Sequence, residues 1–570
     1  MEIWKNDEVR ALCSAAVLYK GYLFAADRDD ISIAGENGKR MCVKCIDFAT
    51  GQVKWVQRLI PWPTLLVVGD KLLIQTLTGE LILAEASPAA YQELGRAQVL
   101  GGKCWAVPAV ADGRIFCRNV QGDLICLDIG SRQGIRGAPA RTESALVKAA
   151  SGPMIEDVPG FASVKDEEGD NWPQFRGPGG RGVAMSSVAG TTWDGRTGEG
   201  VLWKNPVPLP GASSPVVWGD RVLLSGATRD QRTLYCFHAN TGKLLWEFAV
   251  EKMPGNSAGP EKVWSDGSYA APTVCTDGRY VCAAFANGDV VSVDFEGRPI
   301  WSRSLDVLAN AYGHASSPVI WGELLILQLD QGLASDGKSR LLALDLRSGK
   351  TAWETKRPMG AAWSTPTIVS AAGRAQVVAC GVPWIIGYDA GTGTEIWRAK
   401  CMENGLWAAP SPAGVAGTLF AAVEDAALAA IRLDGQGDVT ESHVVWTARA
   451  DLPSVCSPVS HGELVFTLAS GGTLICYRAS DGTKLWTTDY SRDEVVFEAS
   501  PVIAGDKLYL SDNSGRTYIV KAAARFEEVG RAELGEPCGG ASPAFKKGRL
   551  YLRGTAHLYC IGQEDSPHEE

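Results

Sequence analysis

One phrase recurs about every 42–57 residues from residue 200 onward, and it strongly limits the folds available to this chain. The phrase opens with a small residue and a proline, continues through short apolar runs separated by glycine turns, and often closes with a tryptophan. A unit of this length cannot bury both of its faces alone, so neighbouring copies must stack. The openings are Ser214-Pro215, Ala271-Pro272, Ser317-Pro318, Thr365-Pro366, Ser411-Pro412, Ser457-Pro458, Ser500-Pro501 and Ser542-Pro543.

Each copy contains four short runs that are typical of β-strands. Proline suits the first residue of a strand, where no ladder donor is lost, and pairs such as Gly219-Asp220 suit hairpin turns. A four-stranded antiparallel unit of this length is a propeller blade. Eight openings therefore predict an all-β, eight-bladed β-propeller over residues 171–565.

The two ends of this region complement each other. Val201-Leu202-Trp203 has no opening strand before it, and the last copy, which ends near Cys560-Ile561, has no tryptophan strand after it. We expect residues 200–204 to supply the outer strand of the final blade, because that pairing removes the exposed strand edges.

A weaker form of the phrase precedes the main repeat. Residues 1–130 contain about three copies, which form a partial propeller because a closed ring typically needs 4–8 blades. We interpret this part as truncated, with further blades encoded upstream. Residues 131–170 show no repeat and are rich in Ser, Ala, Gly and charged residues, which predicts a linker.

Composition disfavours several classes of protein. The net charge is −10 and no Lys/Arg run is present, so nucleic-acid binding is not expected. No apolar stretch approaches the ~20 residues of a membrane-spanning helix, and the start, MEIWKNDEVRALC, is not a secretory signal. The 15 cysteines are odd in number and irregularly spaced, which favours a reducing compartment.

The repeated phrase resembles the pyrroloquinoline-quinone-like (PQQ-like) repeat, as in the eight-bladed propellers of quinoprotein alcohol dehydrogenases and of BamB-type assembly factors. The best local matches run from Ala343 to Trp353 and from Tyr388 to Trp397. Asn171-Trp172-Pro173-Gln174-Phe175-Arg176-Gly177-Pro178 resembles an opening that is common in BamB-like repeat proteins.

The two branches of the resemblance imply different functions. The dehydrogenases hold PQQ between a tryptophan and a disulfide of two adjacent cysteines, with Ca²⁺ ligands and an aspartate base. This chain has no adjacent cysteines, so we expect no cofactor and assign neither catalytic residues nor metal ligands. The BamB-like branch implies a non-catalytic scaffold that binds a protein or small ligand. It implies a periplasmic or cell-envelope location, whereas a complete N-terminus would imply the cytoplasm.

Two alternatives to the scaffold remain open at this point. One is a degenerate PQQ-dependent alcohol dehydrogenase, which cofactor retention with turnover would reveal. The other is a sensor propeller of a larger signalling protein.

The residues shortly before the opening prolines differ from copy to copy, unlike the framework. In a propeller, these loops reach the mouth of the central channel, and converging aromatic side chains with few polar groups suit a ligand pocket. The alternative is that they only fill the channel. The candidate ligand-binding residues are Tyr269, His314, Trp363, Trp407, Phe497 and Glu498.

Other recurrent residues are better explained by packing. Cys42 and Cys45 form a C-x-x-C on a predicted strand, and Cys45 occupies a repeat position that takes small side chains. Gly177 to Gly182 matches G-x-G-x-x-G without the strand and helix of a dinucleotide site, so we expect a loop that enters the propeller. We expect the closing tryptophans to dock neighbouring blades: Trp203, Trp246, Trp301, Trp353, Trp397, Trp446 and Trp486.

Overall fold

Antiparallel strands joined by tight turns dominate the described part of the computed structural model. The chain divides into two compact units, Met1–Pro153 and Met154–Glu570. The predicted linker, residues 131–170, lies outside the described residues. The structure describes residues 16–29, 40–58, 63–101, 104, 106–111, 113–119, 123–129, 171–184, 190–250, 263, 268–305, 310, 312–403, 405, 407–415, 417–493 and 495–563.

The first unit contains three antiparallel sheets in its described part. Apolar clusters lie between the first and second sheets and between the second and third. The strands are Val17–Tyr19, Tyr22–Asp29, Arg40–Asp47 and Val53–Arg58; Thr64–Val68, Lys71–Gln75, Glu80–Glu85 and Glu93–Gln98; and Ala109–Ala111, Arg114–Arg118 and Leu124–Asp128.

The second unit contains eight antiparallel sheets in its described part, which we number as blades 1 to 8. Blades 1 to 4 are Val216–Trp218, Arg221–Ala227, Arg232–His238 and Leu244–Ala249; Cys275–Thr276, Tyr280–Ala284, Asp289–Asp294 and Pro299–Ser304; Val319–Trp321, Leu324–Leu329, Arg340–Asp345 and Thr351–Lys356; and Thr367–Ala371, Arg374–Cys380, Trp384–Asp389 and Glu395–Lys400.

Blades 5 to 8 follow the same plan, except that the fourth strand of blade 8 comes from the start of the unit. Their strands are Ala413–Val415, Thr418–Val423, Ala427–Arg432 and Val444–Ala448; Val459–His461, Leu464–Leu468, Thr473–Arg478 and Lys484–Asp489; Val502–Ala504, Lys507–Ser511, Arg516–Lys521 and Glu528–Glu533; and Ala544–Lys546, Arg549–Arg553, His557–Ile561 and Val201–Pro206.

Short elements decorate these sheets. Gly437–Asp438 pairs in parallel with the fourth strand of blade 4, and Val183–Ala184 pairs in parallel with the first strand of blade 7. The helical segments are the α-helix Thr440–His443 and the 3₁₀ turns Pro178–Gly180, Ala334–Asp336 and Ser491–Asp493.

A ring of hydrogen bonds joins the residues that lie just before the first strands of the eight blades. Each residue in the ring donates its backbone amide to the side-chain hydroxyl of the equivalent residue in the next blade, at 2.8–3.0 Å. Seven of these residues directly precede an opening proline, and Thr273 follows one. The all-β propeller prediction is therefore confirmed. The ring residues are Ser214, Thr273, Ser317, Thr365, Ser411, Ser457, Ser500 and Ser542.

The start and the end of the second unit close the ring, because both contribute strands to the sheet of blade 8. Val201–Pro206 pairs antiparallel with His557–Ile561, and Trp203 lies opposite Cys560, as we expected from the unpaired ends. One apolar cluster, which includes Val217, Ile519 and Tyr551, spans blades 7, 8 and 1. The seam is thus packed as continuously as the other blade junctions.

The closing tryptophans contact the neighbouring blade. Trp301 Nε1 donates to the Leu346 carbonyl at 2.8 Å, and Trp446 Nε1 donates to the Ala479 carbonyl at the same distance. Trp397 differs, because its Nε1 donates to Gln376 Oε1 of the same blade at 2.7 Å. On the adjacent strand, a small residue lies directly opposite each closing tryptophan, because the bulky indole needs the space. These pairs are Trp203 with Cys560, Trp246 with Cys236, Trp301 with Ser292, Trp353 with Ala343, Trp397 with Gly387, Trp446 with Ala430 and Trp486 with Cys476.

Within the described residues, no helix has the length and apolar character needed to cross a membrane.

Candidate functional site at the propeller channel

Residues 171–184, which we call the channel segment, cross the axis of the propeller. The Pro173 carbonyl accepts a hydrogen bond from Thr276 of blade 2 at 2.9 Å, and the Gly182 carbonyl accepts one from Ile503 of blade 7 at 2.8 Å. Arg176 Nη2 donates to the Pro458 carbonyl of blade 6, which lies opposite blade 2 in an eight-membered ring. The expectation of a loop that enters the propeller is therefore confirmed.

The channel segment enters from one end of the channel. Asn171 Oδ1 accepts from the Gly219 amide at 2.8 Å, and the Ala184 carbonyl accepts from the Gly505 amide at 3.0 Å. Both amides lie in turns between the first and second strands, so we call this the turn end of the channel. The segments that connect each blade to the next arrive at the opposite end of the channel, which we call the loop end.

Glycines let the channel segment fold tightly around its large side chains. Gly177 has a φ of 68°, and a Cβ there would lie 2.5 Å from the Trp172 indole. A Cβ on Gly182 would lie 2.9 Å from Arg176 Nη2. The G-x-G-x-x-G match therefore reflects close packing around Trp172 and Arg176, with no strand-to-helix turn of a dinucleotide site.

Three aromatic rings meet at the loop end: Tyr312, Trp363 and Trp407, which we call the aromatic triad. They come from the loops that lead into the first strands of blades 3, 4 and 5. The ring centroids lie 5.2–6.2 Å apart and the ring planes are tilted by 75–88°. Such edge-to-face contacts stabilise aromatic clusters.

Backbone contacts fix the aromatic triad in place while one ring remains accessible. The amides of Trp363 and Ser364 both donate to the Ala408 carbonyl, at 2.9 and 3.1 Å. The Ala361 amide donates to the Gly332 carbonyl at 2.9 Å, and the neighbouring Leu333 is 69% exposed. Trp407 is 45% exposed, which is unusual for an indole.

The structure places the other candidate residues in different surroundings. Tyr269 packs against the apolar cluster between blades 1 and 2. Phe497 is fully buried and its ring contacts Tyr490 and Tyr518. Glu498 is half-buried, and its Oε2 lies 3.4 Å from where a Cβ on Gly540 would stand.

His314 is buried in the loop that also carries Tyr312. Its amide donates to the Ala286 carbonyl at 3.2 Å. Burial lowers the pKa of the imidazole from 6.5 to about 4, although a hydrogen bond with the Ser316 backbone opposes that shift. The imidazole is therefore neutral at pH 7.

The structure thus brings together Trp363 and Trp407 of the predicted set, but not Tyr269 or Phe497. Sequence reasoning missed Tyr312 and Arg176. Tyr312 lies two residues before the chosen His314, so a wider window around each opening proline would have found it. Arg176 lay in a recognised motif, but only the folded chain shows that it reaches the axis.

No two cysteines are adjacent in this sequence, so the disulfide that holds PQQ in the dehydrogenases has no counterpart here. The described residues contain no group of three or more His, Cys, Asp or Glu that could hold a metal ion. Cys456 and Cys538 are both buried, and each thiol donates to a backbone carbonyl, of Ala499 at 3.3 Å and of Asp512 at 2.8 Å. Burial raises the pKa of both thiols, so neither is a thiolate at neutral pH.

Comparison with known proteins identifies relatives of this chain. The family profile described as outer membrane protein assembly factor BamB matches residues 179–380 and 383–524, more than half of the chain. The curated outer membrane protein assembly factor BamB of Alkalilimnicola ehrlichii (strain ATCC BAA-1101 / DSM 17681 / MLHE-1) is 29% identical over 162 residues. That match covers 28% of this chain and 37% of the relative, so the chain spans little more than a third of the relative's length.

Two solved structures resemble the fold. The quinohemoprotein alcohol dehydrogenase from Comamonas testosteroni has a TM-score of 0.50 at 12% identity, covering 70% of this chain and 82% of that chain. BamB from Moraxella catarrhalis has a TM-score of 0.47 at 16% identity, covering 63% of this chain and 99% of that chain. At these identities the dehydrogenase supports the propeller fold and says nothing of activity.

Proposed function

Because the chain belongs to the outer membrane protein assembly factor BamB family of PQQ-like repeat propellers, we propose that it is a non-catalytic binding module that recognises a segment of another protein. The observation that carries this proposal is the aromatic triad at the loop end, with Trp407 exposed at its edge. Exposed indoles on a rigid framework are typical anchors of protein interfaces.

Other exposed apolar residues at the loop end extend the proposed surface. Leu333, Val455 and Val496 are 69%, 41% and 51% exposed, and all three lie in loops at the loop end. Exposed apolar side chains in several loops of the same end suit a partner with apolar residues at intervals. We therefore expect an extended segment with alternating aromatic and polar residues, such as a strand destined for a β-barrel.

Peptide binding to the purified full chain tests this function. The probe is a synthetic peptide of alternating aromatic and polar residues, and its control has alanine in place of each aromatic residue. Calorimetric titration should give saturable binding of the first peptide only. Trp407→Ala should weaken that binding about 10-fold, the effect of losing an interface anchor.

A matched variant controls for loss of any exposed apolar side chain. Ile300 is 38% exposed and lies in the outer strand of blade 2, not in a loop at the loop end, so Ile300→Ala should leave the affinity unchanged. Equal binding of both peptides, or equal affinity of the wild type and Trp407→Ala, would reject the proposed surface.

The same family membership supports a location in the cell envelope. Fractionation of source cells, followed by immunodetection of the full chain, should place it with envelope proteins. Recovery with a soluble cytoplasmic marker would contradict this part of the proposal.

A further inference from the structure

Arg176 is a buried cation at the axis of the propeller. Its side chain is 1% exposed, and its backbone adopts a φ of 61°, which is uncommon for a residue other than glycine. Nη2 donates to the Pro458 carbonyl and, at 3.4 Å, to the Arg181 carbonyl. Nε and Nη1 are buried and have no hydrogen-bond partner among the described residues.

In the described part of the structure, no carboxylate forms an ion pair with Arg176. The titratable neighbour that raises its pKa is the Cys456 thiol, and the Glu498 carboxylate acts on that thiol from the neighbouring blade. Burial keeps that thiol neutral, as noted above. Burial also lowers the pKa of Arg176 to about 9, so the guanidinium is still protonated at pH 7.

The other buried arginines are better compensated. Arg357 Nε bonds Asp330 Oδ1 at 2.9 Å, with both side chains fully buried. Arg553 lacks a carboxylate partner in the described structure, but Ser213 and the carbonyls of Ser225 and Leu209 accept from its two Nη atoms. Arg176 therefore stands out in having both a buried charge and unused donors on two of its nitrogens.

We propose that Arg176 binds a small monovalent anion inside the channel. An unpaired buried charge is costly, and an ion that accepts from Nε or Nη1 supplies both the counter-charge and the missing acceptor. One negative charge balances one guanidinium, so a divalent ion would leave an excess. The site does not depend on which partner binds at the aromatic triad.

Thermal unfolding of the full chain tests the proposal. The probe is formate. It replaces gluconate step by step at constant ionic strength, and gluconate serves as the reference because it is too large for a buried site. The unfolding midpoint of the wild type should rise saturably by about 3 °C, because the anion binds only the folded state. Arg176→Gln should abolish this response.

A surface arginine supplies the matched control. The Arg347 side chain is 68% exposed and pairs with Glu323 at 3.5 Å, so Arg347→Gln should keep the formate response. If the unfolding midpoint instead rises linearly with formate concentration, and equally in the wild type and Arg176→Gln, the rise is a general salt effect. That result would overturn the proposal.

If Arg176→Gln does not fold, crystals of the wild type test the proposal instead. After growth in bromide, an anomalous peak within hydrogen-bond distance of Nε or Nη1 of Arg176 would support the site. A map with peaks elsewhere and none beside Arg176 would overturn it. Peptide binding at the loop end is measured separately, so failure of one proposal is distinguishable from failure of the other.

Discussion

The backbone amide of Ser542 donates a 3.0 Å hydrogen bond to the hydroxyl of Ser214, which lies 328 positions earlier in the chain. This bond completes the ring that joins the residues just before the first strands of the eight blades. Both residues are buried, so each amide depends on a hydroxyl supplied by the next blade. The ring therefore couples the two ends of the second unit at the axis, while the shared sheet of blade 8 couples them at its outer edge.

Removing one hydroxyl from the ring should destabilise the whole propeller. Ser214→Ala leaves the buried Ser542 amide without an acceptor, and we expect a loss of about 1–3 kcal/mol in the free energy of unfolding. Ser302→Ala is the control, since Ser302 is exposed on an outer strand. Urea unfolding followed by tryptophan fluorescence checks this, and equal midpoints for both variants would contradict it.

Trp353 should contribute to stability, whereas Trp407 should not. Trp353 is half-buried and its Nε1 donates to the Ala390 carbonyl of the next blade at 3.2 Å. Trp353→Ala should cost about 3 kcal/mol, because it opens a cavity and removes that bond. Trp407→Ala should leave the thermal midpoint nearly unchanged, as its ring is 45% exposed. A midpoint unaltered in Trp353→Ala would argue against blade docking by this indole.

Gly393 should tolerate alanine less well than Gly373. Both have positive φ, of 71° and 77°, so alanine strains the backbone at either position. At Gly393 the new Cβ would also lie 2.3 Å from Trp353 Cε3, whereas at Gly373 it meets open space. Alanine at Gly373 should cost about 1 kcal/mol and at Gly393 at least about 2 kcal/mol more. Thermal unfolding of the two variants compares them directly, and equal losses would show that the indole gives way.

His314 should make the stability depend on pH. Its pKa is about 4 in the folded chain, below the ordinary 6.5, so the unfolded chain binds more protons between these values. The part of the stability that depends on the neutral His314 imidazole is therefore fully present above pH 6.5 and is lost as the pH falls toward 4. The wild type should lose up to about 3 kcal/mol more than His314→Gln over this range.

The difference between the two proteins isolates this imidazole, because surface carboxylates titrate alike in both. Urea unfolding at several pH values from neutral to acidic measures it. Parallel pH profiles for the wild type and His314→Gln would show that the imidazole remains accessible to protons in the folded chain.

Several features could be derived from sequence because their causes are local. Turn glycines, strand-opening prolines and the alternation of apolar residues act over a few positions, so each copy of the phrase displays its own four strands. The aspartate that ends the third strand is one example. Asp389 Oδ1 accepts from the Thr392 amide at 3.0 Å, only three positions away. Even the shared blade could be inferred from the repeat. Trp203 has no opening strands before it, and the copy that ends near Cys560 has no tryptophan strand after it.

The meeting of distant side chains was decided only by the closed ring. Arg176 reaches Pro458, which lies 282 positions later, and Tyr312 meets Trp363 and Trp407. Phe497 occupies a similar sequence position to the triad tryptophans, yet it is buried beside Tyr490 and Tyr518. Local pattern specifies which strand a residue precedes. Whether its side chain points to solvent, core or axis depends on the loops and blades packed around it, which come from remote parts of the chain.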